Sequence, residues 1–313
     1  MTILDDGSTS RLWHYLNIYF LKPFDALNDT VTSSLLTQFD WPASIVEIGP
    51  GDGLFSYIMH GGSLPLSFDR YLQTDLTQSD IYDFHVPGLI SDDDAPTEPV
   101  VIASVDSSFT HMVKVSELGF ANNSLCSSYE HLPFPDGSLQ AIFYYIPHGL
   151  IDHGLAIKEA HRVLTSTGTM ILLAYDNSIR DSFLFHRIGS SLSGRYRRYF
   201  LALDNGRYTE LMNLARTEDG WHHYFGKHGF SIEDVHRGLS TAAWKLYDTQ
   251  TRPILKPLIK FFNMMPSLLR TSTKLVWMLA WYPILITCLL ILGARDPFPY
   301  RKTCFLAFQL QRH

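Results

Sequence analysis

The sequence predicts an α/β fold in which a doubly wound, mostly parallel sheet carries helices on both faces. Short apolar runs alternate with helix-like segments between residues 43 and 175, and this alternation is typical of parallel sheets. A glycine-rich turn follows the first apolar run, at the edge where such sheets bind ligands. With 313 residues, 46% hydrophobic and 18% charged, the chain can bury a sizeable core and is unlike disordered or fibrous proteins.

Charge is distributed unevenly along the chain. The net charge is −6, which gives no whole-chain reason to expect a nucleic-acid partner. Residues 251–313 hold nine lysines and arginines against one aspartate, a local charge of +8, so residues 1–250 carry −14. Because the basic segment is also rich in Leu, Phe and Trp, it favours an anionic lipid surface over a polar ligand.

The cysteines and the first residues indicate the compartment. Cys126, Cys288 and Cys304 are an odd number of cysteines, far apart in sequence, which predicts neither a disulfide framework nor a zinc site and favours a reducing compartment. The polar, acidic start MTILDDGSTS does not read as a signal peptide. We therefore expect a cytoplasmic protein.

Residues 1–40 are predicted to form a helical cover over the main domain. Apolar residues first recur at helical spacing,. Pro23 breaks this run, and Asp29 or Thr30 is placed to cap a second helix over 30–39,.

The main domain is predicted over residues 41–240, with an acidic insertion at about 61–99 and a final strand in 299–313. Helices are predicted over 108–118, where Gly119 ends the helix, and over 153–164. The predicted strands of the main domain are 45–48, 99–106, 140–146, 169–175 and 230–235. A basic and apolar helical insertion, 241–298, separates the last two strands.

The turn after the first strand reads Glu47-Ile48-Gly49-Pro50-Gly51-Asp52-Gly53, with three alternating glycines. Glycine lets a backbone approach a ligand without a Cβ in the way. A dinucleotide loop would need a glycine where Leu54 stands, and a Walker loop would need Lys followed by Ser or Thr. An acid before the first glycine suits a cationic ligand, such as a sulfonium with an amino-acid ammonium group.

This turn resembles the first motif of the class I S-adenosylmethionine-dependent methyltransferases. EHLPFPDGS, residues 130–138, is similar to the family's acid-x-Leu-Pro-Phe-x-Asp-x-Ser block. EAHRVL, Gly168 and another strand then follow in the family's order, so the resemblance covers about residues 43–175. It implies a seven-stranded Rossmann-like methyltransferase sheet with an antiparallel last strand, and S-adenosyl-L-methionine as the cofactor.

The resemblance also implies the cofactor-binding residues. Glu47 and the three glycines would hold the methionine end and the ribose side, an acid after the second strand would bind the ribose, and the Leu-Pro-Phe block would hold adenine. The residues so assigned are Glu47, Gly49, Gly51, Gly53, Asp106, Tyr129, Glu130, His131 and Tyr145.

Asp106 competes with Asp75 for the ribose. The segment before Asp106 has the stronger β composition, which favours Asp106. Two departures from the family pattern bear on the site. Ser128 stands where an acid is frequent, so backbone groups near Tyr129 and Glu130 would contact adenine. Thr165-Ser166-Thr167-Gly168 replaces Lys-Pro-Gly-Gly.

In the family, the loop after the fourth strand faces the methyl acceptor, here from Tyr145 to His148 and beyond. His148 is the first candidate for a general base and His153 the second, because histidine titrates near neutral pH. A capping or surface histidine is the alternative. The His222-His223 pair lacks a further ligand at metal-binding spacing, so no metal site is predicted.

Leu275–Gly293 is a run of nineteen residues without a charge, which reaches the length of a membrane-spanning helix. Trp277, Trp281 and Tyr282 suit a membrane interface. Strands on both sides must share one sheet and therefore one compartment. The segment is therefore expected to dip in and return near Pro283, to lie in the interface, to pair with an earlier helix or to pack on protein.

Together these features predict a methyltransferase on the cytoplasmic face of a membrane, which it meets through about residues 253–293. It would move a methyl group from S-adenosylmethionine to a small, lipophilic acceptor such as a lipid. One alternative is a methyltransferase of soluble molecules with the apolar insertion as a lid or dimer helix. A non-catalytic, membrane-associated cofactor-binding module is the other.

Overall fold

A computed structural model describes residues 7–72, 101–145, 153–293 and 303–313, except for the side chains at 205–207, 252 and 292–293. Two candidates from the sequence, Asp75 and His148, lie outside these residues, as does most of the predicted acidic insertion.

Seven strands form one sheet in the order β3-β2-β1-β4-β5-β7-β6. The strands are β1 (Ile45–Ile48), β2 (Val101–Asp106), β3 (Ser124–Cys126), β4 (Leu139–Tyr145), β5 (Leu164–Tyr175), β6 (Phe230–Arg237) and β7 (Phe305–Arg312). Strands β1 to β5 pair in parallel, and β7 lies between β5 and β6, antiparallel to both. The predicted fold class, including the antiparallel last strand, is confirmed.

Helices surround this sheet. They are α1 (Ser8–Ile18), α2 (Pro23–Leu36), α3 (Leu54–Met59), α4 (Phe109–Leu118), α5 (His153–Val163), α6 (Leu184–Ser191), α7 (Gly194–Leu214), α8 (Glu218–Lys227), α9 (Thr241–Thr249), α10 (Leu255–Asn263) and α11 (Ser267–Cys288). Short 3₁₀ turns cover Asn177–Ser182 and Arg252–Ile254, and a π-helical turn covers Leu289–Gly293. As predicted, Gly119 ends α4, with a left-handed φ of 66°.

Helix α2 begins earlier than the sequence predicted. Pro23 stands at its first position, where the missing N–H costs no hydrogen bond. Asp29 and Thr30, predicted to cap a helix over 30–39, are instead buried within α2. The proline therefore ends one helical run and starts the next.

Helix α11 packs on α1 and α2 through the aromatic residues that the sequence assigned to a membrane interface. The Trp277 indole donates a hydrogen bond to the Phe20 carbonyl at 2.7 Å, and the Tyr282 hydroxyl donates to a carbonyl of α1. The Trp281 ring lies 5.9 Å from that of Phe24. Pro283 lies inside α11, so the described chain does not turn back there.

Strand β1 carries a fully buried carboxyl, Glu47. The Ser56 hydroxyl of α3 donates to one of its oxygens, and the Ser104 hydroxyl of β2 donates to the other at 3.4 Å. Burial raises the pKa of Glu47 to about 7; the two serine bonds oppose this rise, and the charge of Asp106 adds to it. The carboxyl therefore joins β1 to α3 and β2 while keeping a proton that an exposed glutamate would release.

This raised pKa predicts a pH-dependent stability. Between pH 4.5 and 7 the folded chain holds a proton on Glu47 that the unfolded chain has lost, so this carboxyl lowers stability as the pH rises. Glu47→Gln removes the effect. Relative to wild type, the variant should gain roughly 1 kcal/mol per pH unit across this window, measured by urea unfolding without ligand.

Glu159→Gln provides the control, because Arg162 holds the pKa of Glu159 below its usual range. Its stability relative to wild type should stay constant from pH 5 to 8. Parallel pH profiles for Glu47→Gln and wild type would show that Glu47 is ionised in the folded protein.

Candidate functional site

The loop between β1 and α3 depends on left-handed backbone. Gly49, Gly51 and Gly53 have φ values of 74°, 58° and 76°, which side chains with a Cβ rarely adopt. The Gly49 amide donates to the Val105 carbonyl at 2.9 Å, and the Gly53 amide donates to the Pro50 carbonyl at 3.1 Å. These bonds anchor the loop at the carboxyl ends of β1 and β2.

Gly51 and Gly53 face different surroundings. A Cβ on Gly53 would lie 2.8 Å from Val115 Cγ2 and 3.0 Å from Phe120 Cε1, so this glycine lets the loop pack on α4. A Cβ on Gly51 would meet nothing within 4 Å. The space beside Gly51 is therefore open to a ligand at the edge of the sheet.

Asp106 ends β2 beside this loop and is 4% exposed. Its carboxylate accepts hydrogen bonds from the Gly51 amide at 3.2 Å and from the Ser108 amide at 2.8 Å. The chain thus has an acid at the end of its second strand, as the sequence predicted. Its competitor, Asp75, lies outside the described residues.

His111 joins this group, and the sequence analysis did not single it out. Its Nδ1 lies 3.4 Å from Asp106 Oδ1, and the hydrogen bond to Asp106 raises the pKa of His111. Only its position in the sequence could have indicated this contact, because a residue five positions after a strand-end acid falls in the first turn of the next helix.

Tyr129 lies next to Asp106 in space. It is 8% exposed. Burial is the main cause that raises the pKa of Tyr129, and the nearby charge of Asp106 contributes to this rise. The Glu130 amide donates to the Ser128 hydroxyl at 3.2 Å, so the serine that replaces the family's acid shapes this turn. His131, the next residue, is exposed.

The Leu-Pro-Phe block is held to α5 by charged side chains. Glu159 accepts a hydrogen bond from the Leu132 amide at 2.8 Å and pairs with Arg162 at 2.6 Å. Arg162 also pairs with Asp136. The two sequence blocks that carry the resemblance therefore contact each other, and this fixes the turn that contains Tyr129.

Tyr145 ends β4 over the start of α3. Its ring lies 5.6 Å from that of Phe55, and the Tyr15 ring of α1 stacks on Phe55 at 5.8 Å. Aromatic side chains from the cover and the sheet therefore line this edge. His153 is the first residue of α5. His148 lies outside the described residues, and its role as a base stays a prediction.

Two further acidic side chains lie on or near the partners of the glycine loop, and the sequence analysis assigned neither of them a part in this site. Asp52, within the loop, pairs with Arg70 at 2.6 Å, and both side chains are buried. Asp29 of α2 is also buried; burial and the nearby Asp25 raise its pKa to about 7, against the charge of Arg70 and bonds from Asn28 and Tyr19. Arg70 therefore compensates the charge of Asp52 and lies close enough to Asp29 to affect its pKa.

The geometry fits a ligand with vicinal hydroxyls and a positive charge. The open space at Gly51 lies beside the Asp106 carboxylate, and carboxylates accept hydrogen bonds from hydroxyl pairs. Among the residues described here, no group of three or more His, Cys, Asp or Glu side chains is placed to hold a metal ion.

Comparison with known proteins identifies the central part of the chain. Residues 98–172 match a family model described as a methyltransferase domain. This segment contains β2, β3, β4 and most of β5, with α4 and α5 between them. No curated protein sequence matches significantly.

Solved structures of methyltransferases show a distant likeness. One is a SAM-dependent methyltransferase, possible histamine N-methyltransferase, from Thermotoga maritima, with 15% identity, coverage of 96% of this chain and 100% of that one, and a TM-score of 0.49. Another is geranyl diphosphate C-methyltransferase from Streptomyces coelicolor, with 10% identity, coverage of 91% and 76%, and a TM-score of 0.42.

The matched residues, 98–172, form part of the seven-stranded sheet, whose last strand is antiparallel. S-adenosylmethionine is the cofactor of proteins with this domain and sheet. The match therefore identifies residues 98–172 as similar to a methyltransferase domain, in agreement with the resemblance of this chain's motifs to the class I S-adenosylmethionine-dependent methyltransferases.

Proposed function

We propose that the protein transfers a methyl group from S-adenosylmethionine to a small, lipophilic acceptor at a membrane surface. The main support for methyl transfer from this cofactor is the open space beside Gly51, which the carboxylate of Asp106 borders. The cofactor supplies an activated methyl group when bound, so the protein's task is mainly binding and orientation.

The proposed cofactor contacts follow the family resemblance, and the open space at Gly51 beside Asp106 supports the central ones. Asp106 would bind the ribose hydroxyls. Glu47 would hold the loop in place from beneath, because both of its carboxyl oxygens already accept hydrogen bonds from serines. The other cofactor residues in this proposal are Gly49, Gly51, Gly53, Tyr129, Glu130, His131 and Tyr145.

The proposed contact with a membrane surface depends on α11. One helical stretch, Ser267–Ile291, is long enough for a membrane segment and has a mean hydropathy of 1.9, and 22% of its 18-residue apolar window is buried. Its exposed large apolar side chains are Leu268, Leu269, Val276, Leu279, Ile284, Leu290 and Ile291. Exposed Lys256 and Lys260 lie on the preceding helix, where they suit anionic headgroups.

The sheet limits how α11 meets a membrane. Strands β6 and β7, before and after α11 in the chain, pair directly, so a single crossing would separate two strands of one sheet. We therefore propose that α11 lies along the cytoplasmic face with its apolar side in the lipid, which would give the site access to a lipid-dissolved acceptor.

A soluble acceptor is the alternative, and the packing of α11 favours it in one respect. Trp277 and Tyr282 bind the backbone of the N-terminal segment, as a lid helix would. In that case the exposed apolar face would meet a second copy of the chain.

The cofactor assignment is tested by isothermal titration of S-adenosylmethionine into wild type, Asp106→Ala and Asp75→Ala. We expect wild type to bind with a micromolar Kd. Asp106→Ala should weaken binding about tenfold to a hundredfold, because it removes charged hydrogen bonds, whereas Asp75→Ala should bind like wild type. Loss of binding in Asp75→Ala alone would move the ribose acid to that residue, and no binding in wild type would refute the proposed cofactor.

Substitutions of Gly51 and Gly53 distinguish a role in ligand binding from a role in packing. Gly53→Ala should lower the free energy of unfolding by about 2 kcal/mol or more, because the new Cβ would clash in a left-handed backbone,. Gly51→Ala should cost only about 1 kcal/mol yet weaken S-adenosylmethionine binding at least as much as Asp106→Ala. Unchanged binding in a folded Gly51→Ala variant would place the cofactor elsewhere.

Membrane binding is tested by co-sedimentation with vesicles of mixed neutral and anionic phospholipids. Wild type should bind, and the double variant Val276→Asp/Leu279→Asp should bind at least about tenfold less, because two apolar side chains no longer enter the lipid. Phe109→Asp, at a site 73% exposed on α4, should bind like wild type. If the double variant sediments with vesicles as much as wild type does, or if wild type does not sediment with them, the alternative in which α11 is a lid over a site for a soluble acceptor is favoured.

A further inference from the structure

A short segment, residues 66–71, joins α11 to the cofactor loop; we call it the strap. On one side, Asp69 pairs with Arg270 of α11 at 2.6 Å, and the Lys274 ammonium donates to the Phe68 carbonyl. On the other side, Arg70 pairs with Asp52 of the glycine loop at 2.6 Å. Adjacent residues of the strap thus bind the apolar helix and the loop.

The four side chains of these two ion pairs are almost completely buried. Exposed fractions are 3% for Arg70, 8% for Asp52 and 6% for both Asp69 and Arg270. Buried ion pairs are geometrically demanding, since an unpaired charge in the interior is strongly unfavourable. A shift of Arg270 would therefore draw Asp69 with it or leave Asp69 without its partner.

Further contacts hold both arginines in place. Arg270 Nη1 donates to Asn263 Oδ1 of α10 at 2.6 Å, and the Asp69 carboxylate accepts the Tyr71 amide at 2.9 Å. The Arg70 guanidinium lies 4.6 Å from the centroid of the Tyr19 ring in the cover. The strap therefore has little freedom to absorb a displacement at either end.

Asp52 is well placed to transmit such a displacement. It lies between Gly51 and Gly53, whose backbones are both left-handed, and its carboxylate also accepts the Leu54 amide at 3.4 Å. Rotation of Asp52 would turn the peptide groups that border the open space at Gly51.

We infer that Arg270 is a positioning residue for the cofactor loop, acting through Asp69 and Arg70 on Asp52. The inference rests on the proposed function in that this loop binds S-adenosylmethionine. It assigns α11 a part in cofactor affinity although α11 is more than 200 residues from the loop in sequence. Because coupling is reciprocal, a bound cofactor would also stabilise the position of α11.

A double-mutant cycle tests this coupling. Isothermal titration gives the Kd for S-adenosylmethionine in wild type, Arg270→Met, Asp52→Asn and the double variant. Each single change should weaken binding about tenfold, and the double variant should be no more than about twofold weaker than the weaker single, because both act on the same path. Arg270→Lys, which keeps the charge beside Asp69, should recover part of the affinity.

Leu285→Ala is the matched control. Leu285 is fully buried on the same helix, about 22 Å along its axis from Arg270, and makes no contact with the strap that the structure describes. It should lower the thermal midpoint yet leave the Kd within about twofold of wild type. An equal loss of affinity in Leu285→Ala would make the effect one of general stability and overturn the inference.

Amide hydrogen exchange without cofactor provides a readout that does not need the proposed function. The Gly51–Leu54 amides should exchange faster in Arg270→Met than in wild type or Leu285→Ala. Additive losses in the cycle, or unchanged exchange in a folded Arg270→Met, would overturn the inference. If wild type does not bind S-adenosylmethionine, the proposed function fails, and the exchange data still decide whether Arg270 positions the loop.

Discussion

The left-handed glycine loop at the ends of β1 and β2 is the constraint on which the proposed site depends. Its amides are bound by the Val105 carbonyl and the Asp106 carboxylate of β2, while Glu47 ties β1 to β2 and α3 from beneath. One acid therefore supports the loop inside the sheet, and the other borders the open space above it. The same bonds that fold the loop also place the groups that would bind a cofactor.

The second constraint is the pairing of β6 with β7. Because the chain on both sides of α11 belongs to one sheet, a single membrane crossing by α11 is excluded. The aromatic side chains of α11 bind the N-terminal segment, and its charged side chains bind the strap. Several of its large apolar side chains, among them Val276 and Leu279, are exposed. One helix thus combines contacts near the glycine loop with a surface suited to lipid.

Local sequence patterns predicted the sheet and much of the site because the relevant signals are short. A β-branched run followed by an acid placed Asp106 at a strand end, and Gly119 marked the end of α4. The start of α2 was predicted wrongly, because a proline serves equally to end one helix and to begin another. Strand β3 was missed, since three residues carry no measurable period.

The contacts that the sequence did not reveal join residues distant in the chain. Arg70 and Asp52 are 18 residues apart in the sequence, and Arg270 and Asp69 are 201 residues apart. No rule of sequence spacing predicts such pairs. The contacts of Trp277 and Tyr282 with the N-terminal segment were not predicted for the same reason, because an aromatic residue suits any half-polar boundary, whether it is lipid or protein. Burial by tertiary packing decided each of these cases.

The central claim, methyl transfer to a lipophilic acceptor, is tested most directly by following a labelled methyl group. The purified protein is incubated with methyl-labelled S-adenosylmethionine and, separately, with organic-soluble and water-soluble cell extracts. A methyltransferase of lipophilic acceptors will place label in the organic-soluble products, in an amount equal to the S-adenosylhomocysteine formed. Label only in water-soluble products would contradict the lipophilic acceptor, and no S-adenosylhomocysteine above a protein-free control with either extract would contradict the methyltransferase itself.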